Sequence, residues 1–507
     1  MKHGYLFIAA LLLCIGSLQS QTITALKSGV WNSDTTWVGG VVPTAASSVV
    51  IDTGMTVTIG TADAVCNNLD VNGTLAFIDA PALGLTVNGN LTVGFKGFFN
   101  TAQTNAVTIA RAHTIVLYKD LTVTAGGKFD MRRGSGALVG VGRLILTGTT
   151  NTNITLSQTA YSSTIEEFNS VVINKTGGAK VVLAAGNLYQ NNNTTNSADT
   201  LLFISGMIET GNNQWIHLAT TAAGVVGASS TSYVNGILGR GLSNSAGATR
   251  KLDVGDSSGY RPVTIQTTVS GVATGHYVWA KVVKGNANTG SSTFTGGIDK
   301  VSSFRYYQVG YFAGAGAASM SFARFSPSYR DNDGVTAGNM DLRSAYSTDS
   351  RATWNGIGPA TDTTNLLVLP RTIVSDSLAT PVVVAGGSSV HVALARKSGT
   401  TTNPLALGTS VRGNDGNVPS EFSLNQNYPN PFNPSTTLGF TVQVSGPTTL
   451  RVYDALGRVA ATLVDGEIEA GVYQQKTFDA SLLSSGIYFA RLENGGKTQM
   501  IKMMLIK

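Results

Sequence analysis

Short apolar runs alternate with polar residues along most of the chain, and glycine, asparagine or proline interrupts them after a few positions. In residues 28–60, "SGVWNSDTTWVGGVVPTAASSVVIDTGMTVTIG", Val49, Ile51, Val57 and Ile59 fall on alternate positions, the period of a half-buried strand. A unit then recurs: "LDVNGTLAF" at 69–77, "LTVNGNLTV" at 85–93 and a looser "LTVTAGGKF" at 121–129. A repeat of about 16 to 30 residues with one apolar strand and a Gly or Asn turn cannot bury its own face, so copies must stack. The pattern continues through "RLILTG", "NITLSQ", "SVVINKTGGAKVVLAAGNL" and "TLLFISGMIETGNN", with no convincing apolar period of 3.6. These observations predict a β-solenoid, a parallel β-helix, over residues 21–238. Its inward stripe includes Leu69, Val71, Leu75, Leu85, Val87, Leu91, Val93, Leu121 and Val123. Asn191, Asn192 and Asn193 form either a stacked ladder or, the preferred reading, a polar loop.

From residue 232 the strands lengthen and gain aromatics: "HYVWAKVVKG", "VSSFRYYQVGYF", "ASMSFARFSP", "PVVVAGG" and "SVHVALARK". Alternation at this spacing predicts a β-sandwich over 239–398. Residues 399–420, polar and aperiodic with Gly and Pro, read as a linker. Alternation resumes in 421–507, where six or seven short strands make a second, Ig-like sandwich. The whole chain is therefore expected to be all-β.

The last unit opens with "NYPNPFNPSTTL", which holds three of the chain's 13 prolines: Pro429, Pro431 and Pro434. Proline fixes its own φ and disfavours helix at the residue before it, so Tyr428, Asn430 and Asn433 are expected to be extended and the segment to act as a rigid spacer.

Composition agrees with turn-rich β structure: 12% of residues are charged and 59 are glycine. The formal charge of +6 is scattered rather than gathered into a basic stripe, which argues against nucleic acid as a partner. The start, "MKHGYLFIAALLLCIGSLQSQ", has Lys2 ahead of an apolar run from Tyr5 to Ile15 that is too short to span a bilayer. It reads as a secretory signal, residues 1–20, cut near Ser20. Leu13 stands before Cys14 where lipid attachment wants a small residue, and Cys66, the one cysteine after the signal, cannot form an internal disulfide.

Residues 421–507 resemble the type A C-terminal sorting domain of the type IX secretion system of Bacteroidota and their relatives. The likeness is carried by "LNQNYPNPFNPST", "VYDALGRVAATL", "AGVYQQKTFDASLLSSGIYFARL" and the ending "KMMLIK". On this likeness Tyr428, Pro429, Asn430, Pro431, Phe432, Gly457, Gly471, Gly486, Lys502 and Lys507 mark the sorting signal. The resemblance implies passage to the periplasm on the N-terminal signal, followed by recognition of the folded domain by an outer-membrane translocon. It further implies removal of the domain by a sortase-like peptidase, with the cargo attached to the surface or released. The first half is similar to repeat regions of large adhesin-like surface proteins, through "SGVWNSDTTWVGGVVPT", "YVNGILGR" and "VGDSSGYRPVTI".

Candidate chemistry is sparse. Gly255 to Gly259 match G-x-S-x-G around Ser257, but "YRPVTIQ" follows as a strand where a nucleophile elbow needs a helix. Asp331 to Gly334 resemble part of a calcium loop, yet Tyr329 and Met340 occupy positions that need oxygen ligands, so a surface turn is expected. His3, His113, His217, His276 and His391 are far apart and lack zinc spacing, so no metal or cofactor is expected. A β-helix can carry polysaccharide chemistry on an outer face. Asp130, Arg132 and Arg133, then Glu166 and Glu167, are the polar clusters that would serve, although charges at a solenoid turn are more often simply solvated. Trp31, Trp37, Trp215 or tyrosines, if exposed, would be the sugar-stacking rings, although such residues are more often caps or core. The expected function is an exported surface or secreted protein, adhesin-like or structural and not an enzyme, with surface glycan as a partner; the alternative is a polysaccharide lyase or hydrolase.

Overall fold

A strand that exposes a row of N–H and C=O groups needs a neighbour on each edge, and in the first part of the molecule each coil supplies them to the next. The computed structural model describes residues 21–60, 62–78, 82–101, 113–131, 142–160, 166–190, 200–220, 224–243, 248–270, 273–316, 319–330, 333–335, 341–358, 361–362, 370–378, 380–400, 405, 422–442, 446–468 and 474–506. The expected signal segment and Asn191–Asn193 lie outside them. Among the described residues helical conformation is limited to 3₁₀, in the turn Asp34–Thr36 and at Asp333. Two compact units divide the chain, Met1–Gly408 and Thr409–Lys507.

The first unit begins as a three-faced parallel solenoid of about six turns. One face stacks Thr22–Thr24, Ser48–Ile51, Leu69–Val71, Leu91–Val93, Leu121–Val123, Thr152–Thr155 and Lys180–Ala185. A second stacks Thr56–Ile59, Thr74–Phe77, Phe98–Asn100, Lys128–Asp130 and Glu166–Glu167. The third stacks Ala64–Cys66, Gly84–Val87, Thr114–Leu117, Arg143–Gly148, Ser170–Lys175 and Leu201–Ser205. The chain visits the three in rotation, so in-register residues of successive coils form columns.

All nine residues of the inward stripe are buried. Val49, Leu69, Leu91, Leu121 and Ile154 make one column, and Leu85, Ile115, Leu144, Val171 and Leu201 another. A third is aromatic: Phe99 and Phe129 stack 4.7 Å apart, and Phe129 and Phe168 5.1 Å apart. Burial also pushes the Cys66 thiol up to about 12, which leaves it a small inert hydrophobe.

The turn residues form a second ladder. The backbone N–H of Asn90 donates to Asn68 Oδ1 (2.9 Å), that of Asp120 to Asn90 Oδ1 (3.2 Å) and that of Asn153 to Asp120 Oδ1 (2.7 Å). Each turn thus satisfies the next coil's donor. Close backbone approach explains the glycines beside these turns: a Cβ at Gly73 would lie 2.3 Å from the Asp52 carbonyl oxygen, and one at Gly97 1.9 Å from that of Val71.

The boundary expected at residue 238 falls inside a strand. Val234–Gly241 pairs in parallel with Met207–His217 of the preceding coil and antiparallel with Tyr277–Lys284. The last coil is therefore the first strand of the antiparallel region, and one hydrophobic core runs from Ile23 through Val254 and Val309 to Val392. Beyond it, Tyr277–Lys284, Arg305–Phe312, Ser389–Lys397, Leu342–Ser347 and Thr353–Ile357 continue that sheet. A second sheet holds Ala248–Leu252, Val263–Ser270, Ser319–Tyr329 and Arg371–Val374. Leu405, inside the stretch expected as linker, is buried with Tyr329, Leu342, Ile373 and Leu394.

The second unit has two antiparallel sheets. Ser435–Thr441 lies between Ser423–Leu424 and Gln474–Asp479. The other sheet runs Val459–Ile468, Gly446–Asp454, Gly486–Asn494, Lys497–Leu505, so the last strand is its edge. Leu438, Phe440, Leu450, Val452, Phe478, Ala490, Leu492 and Met503 fill the space between.

Candidate functional site

The ending "KMMLIK" lies on the edge strand Lys497–Leu505, and strand alternation sends its side chains two ways. Met503 (0% exposed) and Leu505 (1%) enter the core, while Lys502, Met504 (38%) and Ile506 (50%) face solvent. One edge of this strand pairs with Gly486–Asn494. The other would be a bare row of peptide groups, a template for unwanted pairing.

Residues 424–432 close it. Phe432 N–H donates to the Met504 carbonyl (2.9 Å) and Ile506 N–H to that of Phe432 (3.0 Å). Asn430 stands in for a further peptide: its Oδ1 accepts from Met504 N–H (2.9 Å) and its Nδ2 donates to the Lys502 carbonyl (3.3 Å). Gln426 Nε2 donates to the same carbonyl (2.8 Å), and Gln499 Oε1 accepts from Leu424 N–H (2.7 Å). Pro429 and Pro431 have no N–H to leave outside this pairing, as suits an edge position.

The proline segment is thus a docked strap, which corrects its reading as a rigid spacer. The Tyr428–Pro429 and Asn430–Pro431 bonds are cis. Asn427, buried, donates to the Pro429 carbonyl (3.0 Å) and to Thr436 Oγ1 (2.9 Å). Phe432 packs into the core with its ring 5.9 Å from that of Phe478, whereas Tyr428 is 83% exposed. The two motifs at the ends of the domain are therefore one structural object.

Of the marked glycines, Gly457 has φ +78° in a turn organised by Asp454. Asp454 Oδ1 accepts from the N–H groups of Leu456 and Arg458 (2.9 Å each), and these bonds, with the Arg458 side chain, hold its carboxyl below the usual range. Gly486 opens its strand, and a Cβ there would meet nothing nearer than 4.0 Å, so the fold itself does not require glycine. Gly471 and Lys507 lie outside the described residues.

The chemical candidates of the first unit sort as follows. Asp130 is buried and ion-paired with Lys128 (3.3 Å), while Arg132 and Arg133 lie outside the described residues. Register makes Asp130 the neighbour of Glu167 on the next coil, joining the two clusters that look separate along the chain. Ser257 lies in the hairpin of Val254–Asp256 and Gly259–Tyr260, and the strand Val263–Ser270 follows.

Of the turn expected at Asp331 to Gly334, Asp331 and Asn332 lie outside the described residues; Asp333 N–H does donate back to the Arg330 carbonyl (3.0 Å), but its carboxylate is buried in an ion ring rather than at the surface. Arg261 bonds Asp256 (3.0 Å) and Asp333 (2.9 Å), and Arg305 bonds Asp256 (2.7 Å) and Asp333. Two cations and two anions alternate, which compensates charges that would otherwise be costly to bury. Although burial alone would raise the Asp256 carboxyl, the two guanidinium groups hold it below its ordinary value. Nothing in the spacing of these residues announced the ring. Among the described residues no three His, Cys, Asp or Glu side chains gather as a metal site. Trp31, Trp37 and Trp215 are buried, so none offers a ring to a sugar.

An antiparallel sandwich whose two ends meet along one sealed edge, following a solenoid body, defines a terminal module separate in fold from what it is attached to. Residues 426–507 match the family model described as secretion system C-terminal sorting domain. The C-terminal unit is a sorting domain of the type IX secretion system, which implies export to the cell surface or extracellular space. No curated protein and no solved structure matches the chain.

Proposed function

We propose that the chain is an exported, adhesin-like protein of a Bacteroidota-type bacterium whose solenoid and sandwich bind or scaffold extracellular material without catalysis. The N-terminal signal takes it to the periplasm, the outer-membrane translocon recognises the sorting unit, and a sortase-like peptidase removes it. The observation that carries the export reading is the division of the last strand. Met503 and Leu505 hold the fold, while Lys502, Met504 and Ile506 are left to be read.

The test is to fuse residues 421–507 to a signal-bearing reporter in a type IX host. The fusion reaches the medium or surface, and loss of Lys502 to Lys507 traps it in the periplasm. A combined Lys502→Ser, Met504→Ser, Ile506→Ser variant stays folded yet is retained. Equal export of the truncated fusion would sink the reading.

The register of Asp130 and Glu167, on strands about 4.8 Å apart, favours one second reading, a polysaccharide-active enzyme. Incubating the full chain with plant, algal and host polysaccharides decides it. New chain ends that vanish in Asp130→Asn and Glu167→Gln would establish catalysis; silence leaves binding.

A further inference from the structure

Burial treats the five tryptophans unequally. Trp31, Trp37, Trp215 and Trp354 are at most 1% exposed, whereas Trp279 remains partly open to solvent. On Tyr277–Lys284, Val278 and Ala280 enter the core, so Tyr277, Trp279, Lys281 and Val283 take the other face. Their partners across the sheet are Phe312, Gly310, Gln308 and Tyr306.

Trp279 has glycine on both sides in register, Gly239 and Gly310. The indole occupies the space above Gly310, where a Cβ would lie 2.3 Å from its ring atoms. Around it the face is aromatic and cationic. Tyr277 and Phe312 stack at 4.9 Å, and the Arg351 guanidinium sits 4.8 Å from the centre of the Tyr306 ring. His391 meets Tyr306 edge to face at 5.5 Å, and Gln308 Nε2 donates to Ser389 Oγ (3.0 Å).

Arg351 is held there against its backbone preference, at φ +75° after Ser350 at +58°, an arrangement rare for a long side chain. Asp349 organises this turn, accepting from Ser347 Oγ and Thr353 N–H (2.8 Å each), so the nearby acid is engaged. Burial, then the charges of Arg351 and Lys281, hold His391 below its ordinary value.

We propose that this strip binds an extended acidic polysaccharide, with a sugar ring on Trp279, carboxylate or sulfate groups at Lys281 and Arg351, and hydroxyls at Gln308. Tyr277 itself is buried, so the open strip runs from Trp279 to Val283, about 14 Å at ~3.4 Å per residue, room for two or three sugar units. The assignment rests on the binding reading above and names its site and ligand class.

The full chain is titrated with polygalacturonate, dextran sulfate, neutral dextran and single-stranded DNA, with thermal midpoints recorded for each variant. The expected result is binding of polygalacturonate or dextran sulfate that weakens with salt, and none of dextran. Trp279→Ala and, separately, Lys281→Gln with Arg351→Gln each lower affinity at least tenfold, the charge variant without a change in midpoint. Binding that survives both variants would overturn this site while leaving a binding role intact. Failure to bind either acidic polymer, or equal binding of DNA, would overturn the ligand class.

Discussion

In the solenoid, strands such as Leu91–Val93 and Thr114–Leu117 have a parallel neighbour on each side, whereas Lys497–Leu505 has a full strand on only one. Stacking hands each open edge to the next coil. The sorting unit has no next coil, so it closes its last edge with its own first residues, using Asn430 and Gln426 as peptide substitutes while Gln499 of the edge strand accepts from Leu424 N–H. Support in the solenoid is repetitive and shared; in the sorting unit it is unique and concentrated in two short motifs.

The largest effect should come from the middle of a shared column. Phe129→Ala removes ring contacts to both Phe99 and Phe168 and is expected to cost about 3–5 kcal/mol in denaturant unfolding of the first unit. A loss under about 1 kcal/mol would mean neighbouring coils close the cavity.

In the sorting unit adjacent residues should behave oppositely. Met503→Ala costs about 2–5 kcal/mol, while Met504→Ala stays within about 0.5 kcal/mol and acts on export instead. Equal destabilisation by the two would erase the division of the last strand.

One pH effect belongs to the solenoid. Burial pulls the Lys175 amine down from 10.5 to about 8, and it donates to the carbonyls of Tyr118 (3.3 Å) and Thr147. Because the folded value lies below the unfolded one, folding penalises the charged amine fully below about pH 8 and not at all above about 10.5. The stability difference between Lys175→Met and the natural chain should therefore change between those limits and be flat below them.

The smallest effects test the two kinds of edge closure. Asn430→Ala and Asn90→Ala each remove one side-chain acceptor of a backbone N–H, worth about 0.5–1.5 kcal/mol by thermal unfolding. The first should also impair export; the second should not.

Much of this was legible along the chain. The nine stripe residues were assigned from alternation alone, and the sorting unit from four short motifs. Other features were hidden by distance. The Asn ladder joins residues a full coil apart, and the ion ring joins Asp256 to Asp333 through Arg261 and Arg305. Tryptophan identity likewise says nothing about which indole faces water. Trp31, Trp37 and Trp215 take the core role that was the preferred expectation for them, and the ring left partly exposed is Trp279.

By itself the sequence determined the strand period, the stacking of repeats and the address carried by the last unit, because these depend on local alternation and short contiguous motifs. The tertiary structure decided which distant strands share a register. That register brought Asp130 beside Glu167, set Trp279 between two glycines and laid Asn430 along the final strand. Pairing across a sheet is chosen by the closure of many loops at once, and no local pattern encodes that choice.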